Sequence, residues 1–425
     1  MSLLIRRPTL DGEPRSIYIE DGKIAALGET RRAERVIEAE GLHAFPSLRN
    51  GHTHAAMTLF RGYGDDLPLM EWLQTKIWPA EALLTEEHVY HGTRLALLEM
   101  IKGGTTYLAD MYWHRDGVAR AVRDMGMRGH IASVFIDLGD PAKAAEQRDR
   151  MAERLEQRVA YGPRVMMALG PHAIYTVSDQ SLEWLAELSE WEDLLVHIHV
   201  SETVHEIEEC EKAHGVTPVR HLKDIGLLNA RLIAAHAVHI DDEERAMLAE
   251  AGATAVTNPV SNLKLAVGGI FDYAAAREAG LRVALGTDGA GSNNNLDMIE
   301  EMKIAALVAK HRSGDPTCLP AREALAMATT AVSEGFRLGA GDIEVGAPAD
   351  LMLVDLSGAA TQPVHDAVSN LVYAAHSSAV HTTICEGEVL MHDRTLEIAS
   401  EEEILREGAA ATLDLLDRVA AGGGR

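Results

Sequence analysis

"RNGHTHAAM", residues 49–57, sets His52 and His54 either side of one threonine, directly after a run that reads as a β-strand. With twenty histidines in 425 residues, about one such pair is expected by chance, so the pair alone decides little. What decides the fold is that this run opens a series. Between residues 44 and 290, short β-rich runs alternate with longer helical patterns. The runs are "AFPSLRNGH", "TTYLAD", "HIASVFID", "RVMMALGPH", "LLVHIHVSE", "RLIAAHAVH", "ATAVTNP" and "RVALGTDG". Intervening stretches such as "VYHGTRLALLEMIKGG" and "DEERAMLAEAG" carry apolar residues at three- and four-residue spacing and a glycine near the end. Eight such units predict an α/β chain with parallel strands closed into a (β/α)₈ barrel of the TIM type.

The flanks have a different character. "SIYIEDGKIAALG" is two alternating runs around Asp21-Gly22, a hairpin signal, and "DLMLVDL" and "TTICEGEVLMHD" repeat it after residue 340. Short strands from both ends of the chain are expected to pair into one small β-sandwich beside the barrel. The predicted organisation is a composite sandwich from residues 1–48 and 340–400, the barrel over 49–339, and a C-terminal helix with a flexible glycine tail over 401–425.

Composition narrows the chemistry. The chain is 47% hydrophobic and 24% charged, and no apolar run nears the roughly 18 residues needed to span a bilayer. The opening "MSLLIRRPTLDGEP" has an apolar stretch too short for a secretory signal, with its arginines behind that stretch, so a cytoplasmic location is expected. Cys210, Cys318 and Cys385 lie far apart, which leaves neither a disulfide framework nor a cysteine metal site. A net charge of −26 disfavours nucleic acid and acidic membranes as partners.

In a barrel of this kind, reactive groups sit where strands end. Almost every run here ends in a group able to bind a metal or move a proton: His52 and His54, Asp110, His172, His199 with Glu202, His236, and Asp288. Alternation points His52 and His54 to the same side. Two imidazoles from strand one, a third from strand five and a carboxylate from strand eight would hold Zn²⁺ or Fe²⁺. A bound metal lowers the pKa of its water to roughly 7. Binuclear sites of this type usually need a bridging carboxylated lysine at the end of strand four; "RVMMALGPH" has none, so one metal per subunit is expected. Among the other groups, His197 reads as a core histidine deeper in strand five, His239 as a loop residue, and His88, His91 and His221 as helix-surface residues. Asp110 has an equal reading as a cap.

The motifs "NGHTHAAMTLFRG", "DDLPLMEWL", "ALGPHAIYT", "HIHVSET", "AAHAVH", "NPVSNLKL" and "LGTDGAGSNNNL" follow one another in an order and spacing that resemble the amidohydrolase superfamily. The similarity is to its 5'-methylthioadenosine/S-adenosylhomocysteine deaminase and 5'-deoxyadenosine deaminase branch, and it runs nearly end to end. It implies that His52, His54, His199 and Asp288 bind the metal. Glu202 would be the proton shuttle, His236 would orient and polarise the attacking hydroxide, Glu71 would bind ribose, and His172 would contact the substrate. Read without the family, Glu71 is a solvated residue at a helix start; Trp72 beside it has two readings, one facing the substrate and one packed in the core. The implied reaction is loss of ammonia from adenine C6. Glu202 takes a proton from water and gives it to N1, and Asp288 passes the second proton to the departing amine. A homodimer or homotetramer is also implied.

The chain departs from the family at three positions. Relatives that accept S-adenosylhomocysteine are expected to pair its carboxylate with an arginine near the end of strand three, where Ser133 stands here. An unpaired carboxylate gains little on leaving water. Lys143 or an arginine from a neighbouring subunit could substitute, but substrates with an uncharged 5' group, 5'-deoxyadenosine or 5'-methylthioadenosine, are favoured. Arg49 replaces an apolar residue before the histidine pair, and Ala237 replaces cysteine after the strand-six histidine. Competing readings are an aminohydrolase of another heterocycle (guanine, a pterin or an s-triazine) and an inactive scaffold.

Overall fold

The structure, a computed structural model, describes residues 2–422. Eight parallel strands form the central sheet: β1 Leu48–Thr53, β2 Thr105–Tyr112, β3 Arg128–Phe135, β4 Val165–Pro171, β5 Val196–Val200, β6 Leu232–His236, β7 Thr254–Thr257 and β8 Arg282–Leu285. They neighbour one another in chain order, with helices packed outside, which is the (β/α)₈ architecture. Closure between β8 and β1 is made by side chains as much as by backbone. The Asn50 amide donates to Thr287 Oγ1 (2.7 Å) and accepts from Thr287 N (3.1 Å), while Asp288 N donates to the His52 carbonyl (3.0 Å). Glycine is required at this seam. A Cβ on Gly51 would lie 2.9 Å from the Leu285 carbonyl, and one on Gly286 would lie 2.7 Å from the His52 backbone.

Period-two alternation sorts the strand residues. Tyr107, Ala109, Met111, Ala132, Val134, Ile233, Val256 and Ala284 fill the barrel interior, closed below by Phe336 and Leu338. Leu108, Ile131, Phe135, Val196, Ile198, Leu232 and Leu285 face the helices. His197 and His199 lie between outward-facing Val196, Ile198 and Val200, so both point inward.

The run 44–52 proves to be two strands. His43–Pro46 leaves the barrel and pairs antiparallel with Leu351–Val354, and β1 begins at Leu48. Pro46 cannot donate a ladder hydrogen bond, which favours the break here. His43–Pro46 thus joins both chain ends in a seven-stranded sheet, whose apolar face packs on a four-stranded sheet containing the predicted hairpin Ile17–Glu20/Lys23–Leu27. Asp21 and Gly22 at its turn have φ 49° and 78°, as a two-residue hairpin turn demands.

Arg49 has a structural explanation. It is fully buried, with Nη2 3.4 Å from Asp350 Oδ2, and Arg128 Nη1 lies 2.7 Å from the same oxygen. One carboxylate from the sandwich side therefore ties down two barrel arginines. The C-terminal helix Glu401–Gly422 packs on Glu86–Lys102. His88, expected at the surface, is buried there and bonds Asp414 (2.8 Å). The expected glycine tail, residues 423–425, lies outside the described residues. Among the described residues no helix is long and apolar enough to cross a membrane.

Candidate active site

Four of the predicted groups converge at the C-terminal mouth of the barrel. His52 Nε2 lies 3.5 Å and His54 Nε2 3.2 Å from Asp288 Oδ1, and His199 Nε2 is 3.3 Å from His54 Nε2. In each histidine the other ring nitrogen is occupied elsewhere. His52 Nδ1 meets His197 Nε2 (2.8 Å), His54 Nδ1 meets the Met111 carbonyl, and His199 Nδ1 meets the His172 carbonyl (2.7 Å). These contacts turn the three Nε2 atoms toward a common point. Asp288 is fixed by the same logic, because Ser261 and Ser292 hydroxyls donate to Oδ2 (2.6 and 2.9 Å) and leave Oδ1 to face the imidazoles.

The donor set fits a divalent cation. His52 Nε2 is buried without a hydrogen-bond partner, an orphaned lone pair aimed at the convergence point. Burial pushes the His52 pKa down to about 3 and holds that of His199 well below the ordinary imidazole value, so both rings are neutral, as ligands must be. Burial opposes a charged His54, yet the Asp288 carboxylate and the Met111 carbonyl raise its pKa to about 9. His54 and Asp288 thus share a proton where a cation would sit. Three imidazoles and a carboxylate are the ligand types of borderline metals.

Groups for proton transfer line the same mouth. His236 Nε2 is 3.9 Å from Glu202 Oε2, and His236 Nδ1 is held by Asn262 Oδ1 (2.8 Å), which leaves Nε2 directed inward. His236 and Ala237 have φ 70° and 48°, two consecutive non-glycine residues in the left-handed region, so strain is stored beside the site. Burial, reinforced by Asp288, raises the Glu202 carboxyl above the ordinary range, while His236 opposes the shift. His172 sits beside His199, ring centroids 4.9 Å apart, with Nδ1 3.0 Å from Thr176 Oγ1; burial lowers its pKa to about 4.

Glu71 is exposed on Leu69–Trp72, and its carboxylate makes no hydrogen bond or ion pair with these groups among the described residues. Its neighbour Trp72 is buried against Met57, Phe60 and Gly291. The carboxylate that the same segment delivers is Glu81, at the end of Trp78–Glu81 after a π-helical turn over Leu73–Ile77. Tyr112 Oη (2.7 Å), at the C-terminal end of β2, and Trp113 Nε1 (3.1 Å), just past it, donate to it, and the Tyr112 ring lies 6.0 Å from His54. Burial raises its pKa.

Asp110 behaves as a cap, though for a different element than expected: Oδ1 accepts from Ala55 N (2.7 Å) at the start of Ala55–Phe60. His239 is a loop residue bonded to the Val267 carbonyl (2.8 Å). Sequence reasoning missed Glu206, whose two oxygens accept from Ser201 N and Glu202 N (2.8 Å each) and so hold the Glu202 backbone. An acidic residue in the first turn of Val204–His214 reads as a solvated helix start, and nothing local reveals its burial.

The model of the amidohydrolase family matches residues 44–390. The chain is 49% identical to a 5'-deoxyadenosine deaminase of Methanoregula boonei, over 98% of this chain and 96% of that one. It is 42% identical to a 5-methylthioadenosine/S-adenosylhomocysteine deaminase 1 of Archaeoglobus fulgidus, over 92% of each. Among solved structures, an adenosine deaminase from Xanthomonas campestris with bound zinc superposes with a TM-score of 0.89 at 35% identity, covering 99% of this chain and 98% of that one. On sequence, fold and site together, the chain belongs to the amidohydrolase family.

Proposed function

We propose that this protein is a metal-dependent aminohydrolase that removes the 6-amino group of an adenosine-type nucleoside, releasing ammonia and the inosine analogue. The observation that carries this reading is the convergence of His52, His54, His199 and Asp288 at the barrel mouth, with a half-buried Glu202 beside His236. Those four residues would hold one divalent ion, for which zinc is proposed; the Xanthomonas relative binds zinc, and the donor set also accepts Fe²⁺. Such an ion supplies a water acidic enough to attack near neutral pH.

The chain's own groups do the rest. Glu202, kept above the usual carboxylate range by burial, takes one proton from the attacking water and delivers it to purine N1, which makes C6 more electrophilic. His236, with Nδ1 tied to Asn262, presents Nε2 to the oxygen that develops charge. Asp288, its Oδ2 anchored by two serines, passes the second proton from Oδ1 to the departing amine. Both protons of water are then accounted for, one on N1 and one on ammonia. His172 lines the base pocket. Glu81, not Glu71, is the proposed acceptor for ribose hydroxyls, because it is the carboxylate bonded to Tyr112, whose ring lies 6.0 Å from that of His54.

Ser133 bears on the 5' substituent. It is fully buried on β3 and its hydroxyl has no partner, while Lys143 is exposed on Pro141–Glu156. Ser133 lies between Ile131 and Phe135, which face the helices, so this position offers a charged amino-acid tail no cation; 5'-deoxyadenosine and 5'-methylthioadenosine are the favoured substrates and S-adenosylhomocysteine a poor one. The test is loss of adenine absorbance with 5'-deoxyadenosine, 5'-methylthioadenosine, S-adenosylhomocysteine and guanine in parallel, beside Glu202→Ala. Turnover of the first two, abolished in the variant, is expected. Turnover of guanine alone would overturn the assignment.

A further inference from the structure

A second cluster of metal-type donors lies outside the barrel mouth. Asp179 stands in the first turn of the helix after β4, Asp179–Glu192. His214 ends the helix after β5, Val204–His214, and His221 lies on the next helix, Pro218–Asp224. His221 Nε2 is 3.0 Å from Asp179 Oδ1 and His214 Nδ1 is 3.6 Å from Asp179 Oδ2. One donor atom from each residue lies within 4.8 Å of the other two. The imidazoles stack with centroids 3.8 Å apart and planes 24° apart.

We propose that Asp179, His214 and His221 form a second, peripheral site for a borderline divalent ion of the zinc class. Two imidazoles and one carboxylate match such ions, whereas magnesium and calcium prefer all-oxygen sets. His221 is buried and bonded to Asp179, not at the surface as its helix position suggested, so one ligand is preorganised. Asp179 and His214 are exposed, which leaves room for water to complete the coordination. The ion joins three helices that follow β4 and β5, including the one whose first turn carries Glu206.

Equilibrium dialysis of the full chain against Zn²⁺, with the metal counted per subunit, tests this. The wild type is expected to hold two equivalents, His214→Ala and Asp179→Asn one each with unchanged turnover, and His52→Ala one, retained at the peripheral site. Both peripheral variants alter exposed side chains, so folding is preserved. The second equivalent is expected to raise the Tm of the enzyme already loaded at the barrel, and His214→Ala to lose that shift. A wild type that holds one equivalent, as an ordinary ion pair at Asp179 would give, overturns the proposal. So does a second equivalent that survives both peripheral variants. Loss of deaminase activity in His52→Ala alone bears on the barrel site and leaves this stoichiometry readable.

Discussion

His197→Phe isolates the support of a single metal-facing histidine. His197 is buried, and its Nε2 lies 2.8 Å from His52 Nδ1, so it fixes which nitrogen of His52 carries the proton. Phenylalanine keeps the volume and removes the acceptor. His52 Nδ1–H is then buried without a partner, which costs about 1–3 kcal/mol of stability in the metal-free protein. Freed from its anchor, His52 can also take the tautomer that places a proton on Nε2. Loss of such an anchoring contact typically lowers metal affinity about 10- to 100-fold, equivalent to about 1.4–2.7 kcal/mol. The assays are urea unfolding of the metal-free protein and chelator competition for the zinc affinity. Lower stability with unchanged zinc affinity would refute the argument, because it would show that His197 only packs.

Other perturbations separate the remaining roles. Glu202→Gln is expected to reduce turnover by about 10²- to 10⁴-fold with zinc content unchanged, read by ammonia release and metal analysis. Glu81→Gln should lower kcat/KM for nucleosides about 10- to 100-fold, while Glu71→Gln changes it less than about twofold; the reverse pattern would restore Glu71 to the ribose. Asp350→Asn leaves Arg49 and Arg128 buried without their shared carboxylate and should cost about 3–5 kcal/mol in urea unfolding. Burial raises the Glu206 pKa from 4.5 to about 7. Between those values the folded state binds more protons than the unfolded one, so wild-type stability relative to Glu206→Gln should fall as pH rises from 4.5 to 7, by up to about 3 kcal/mol.

The barrel and the histidines and carboxylates gathered at its mouth were legible because both depend on short-range pattern. Alternation set His52 with His54 and His197 with His199 on one face, and strand ends marked His236 and Asp288. What stayed hidden depends on partners distant in sequence. Glu81 is held by Tyr112 and Trp113, some 30 residues on in sequence, a contact that no local pattern announces. The break at Pro46-Ser47 is imposed by pairing with Leu351–Val354, some 300 residues on. His88 and His221 look solvated on their helices until Asp414 and Asp179 close over them. Ser261, on the helix Pro259–Lys264, and Ser292, in the turn after β8, anchor Asp288 from two different segments, and neither spacing nor residue type singles them out.

The most direct measurement is titration of metal-depleted protein with Zn²⁺ in the His214→Ala background, following ammonia release from 5'-deoxyadenosine. Activity is predicted to rise linearly and level off at one equivalent per subunit, and to vanish when His199→Ala is added. Stoichiometric zinc uptake with no ammonia released from 5'-deoxyadenosine or 5'-methylthioadenosine would contradict the account: the barrel would hold the metal, but the protein would not be an adenosine-type deaminase.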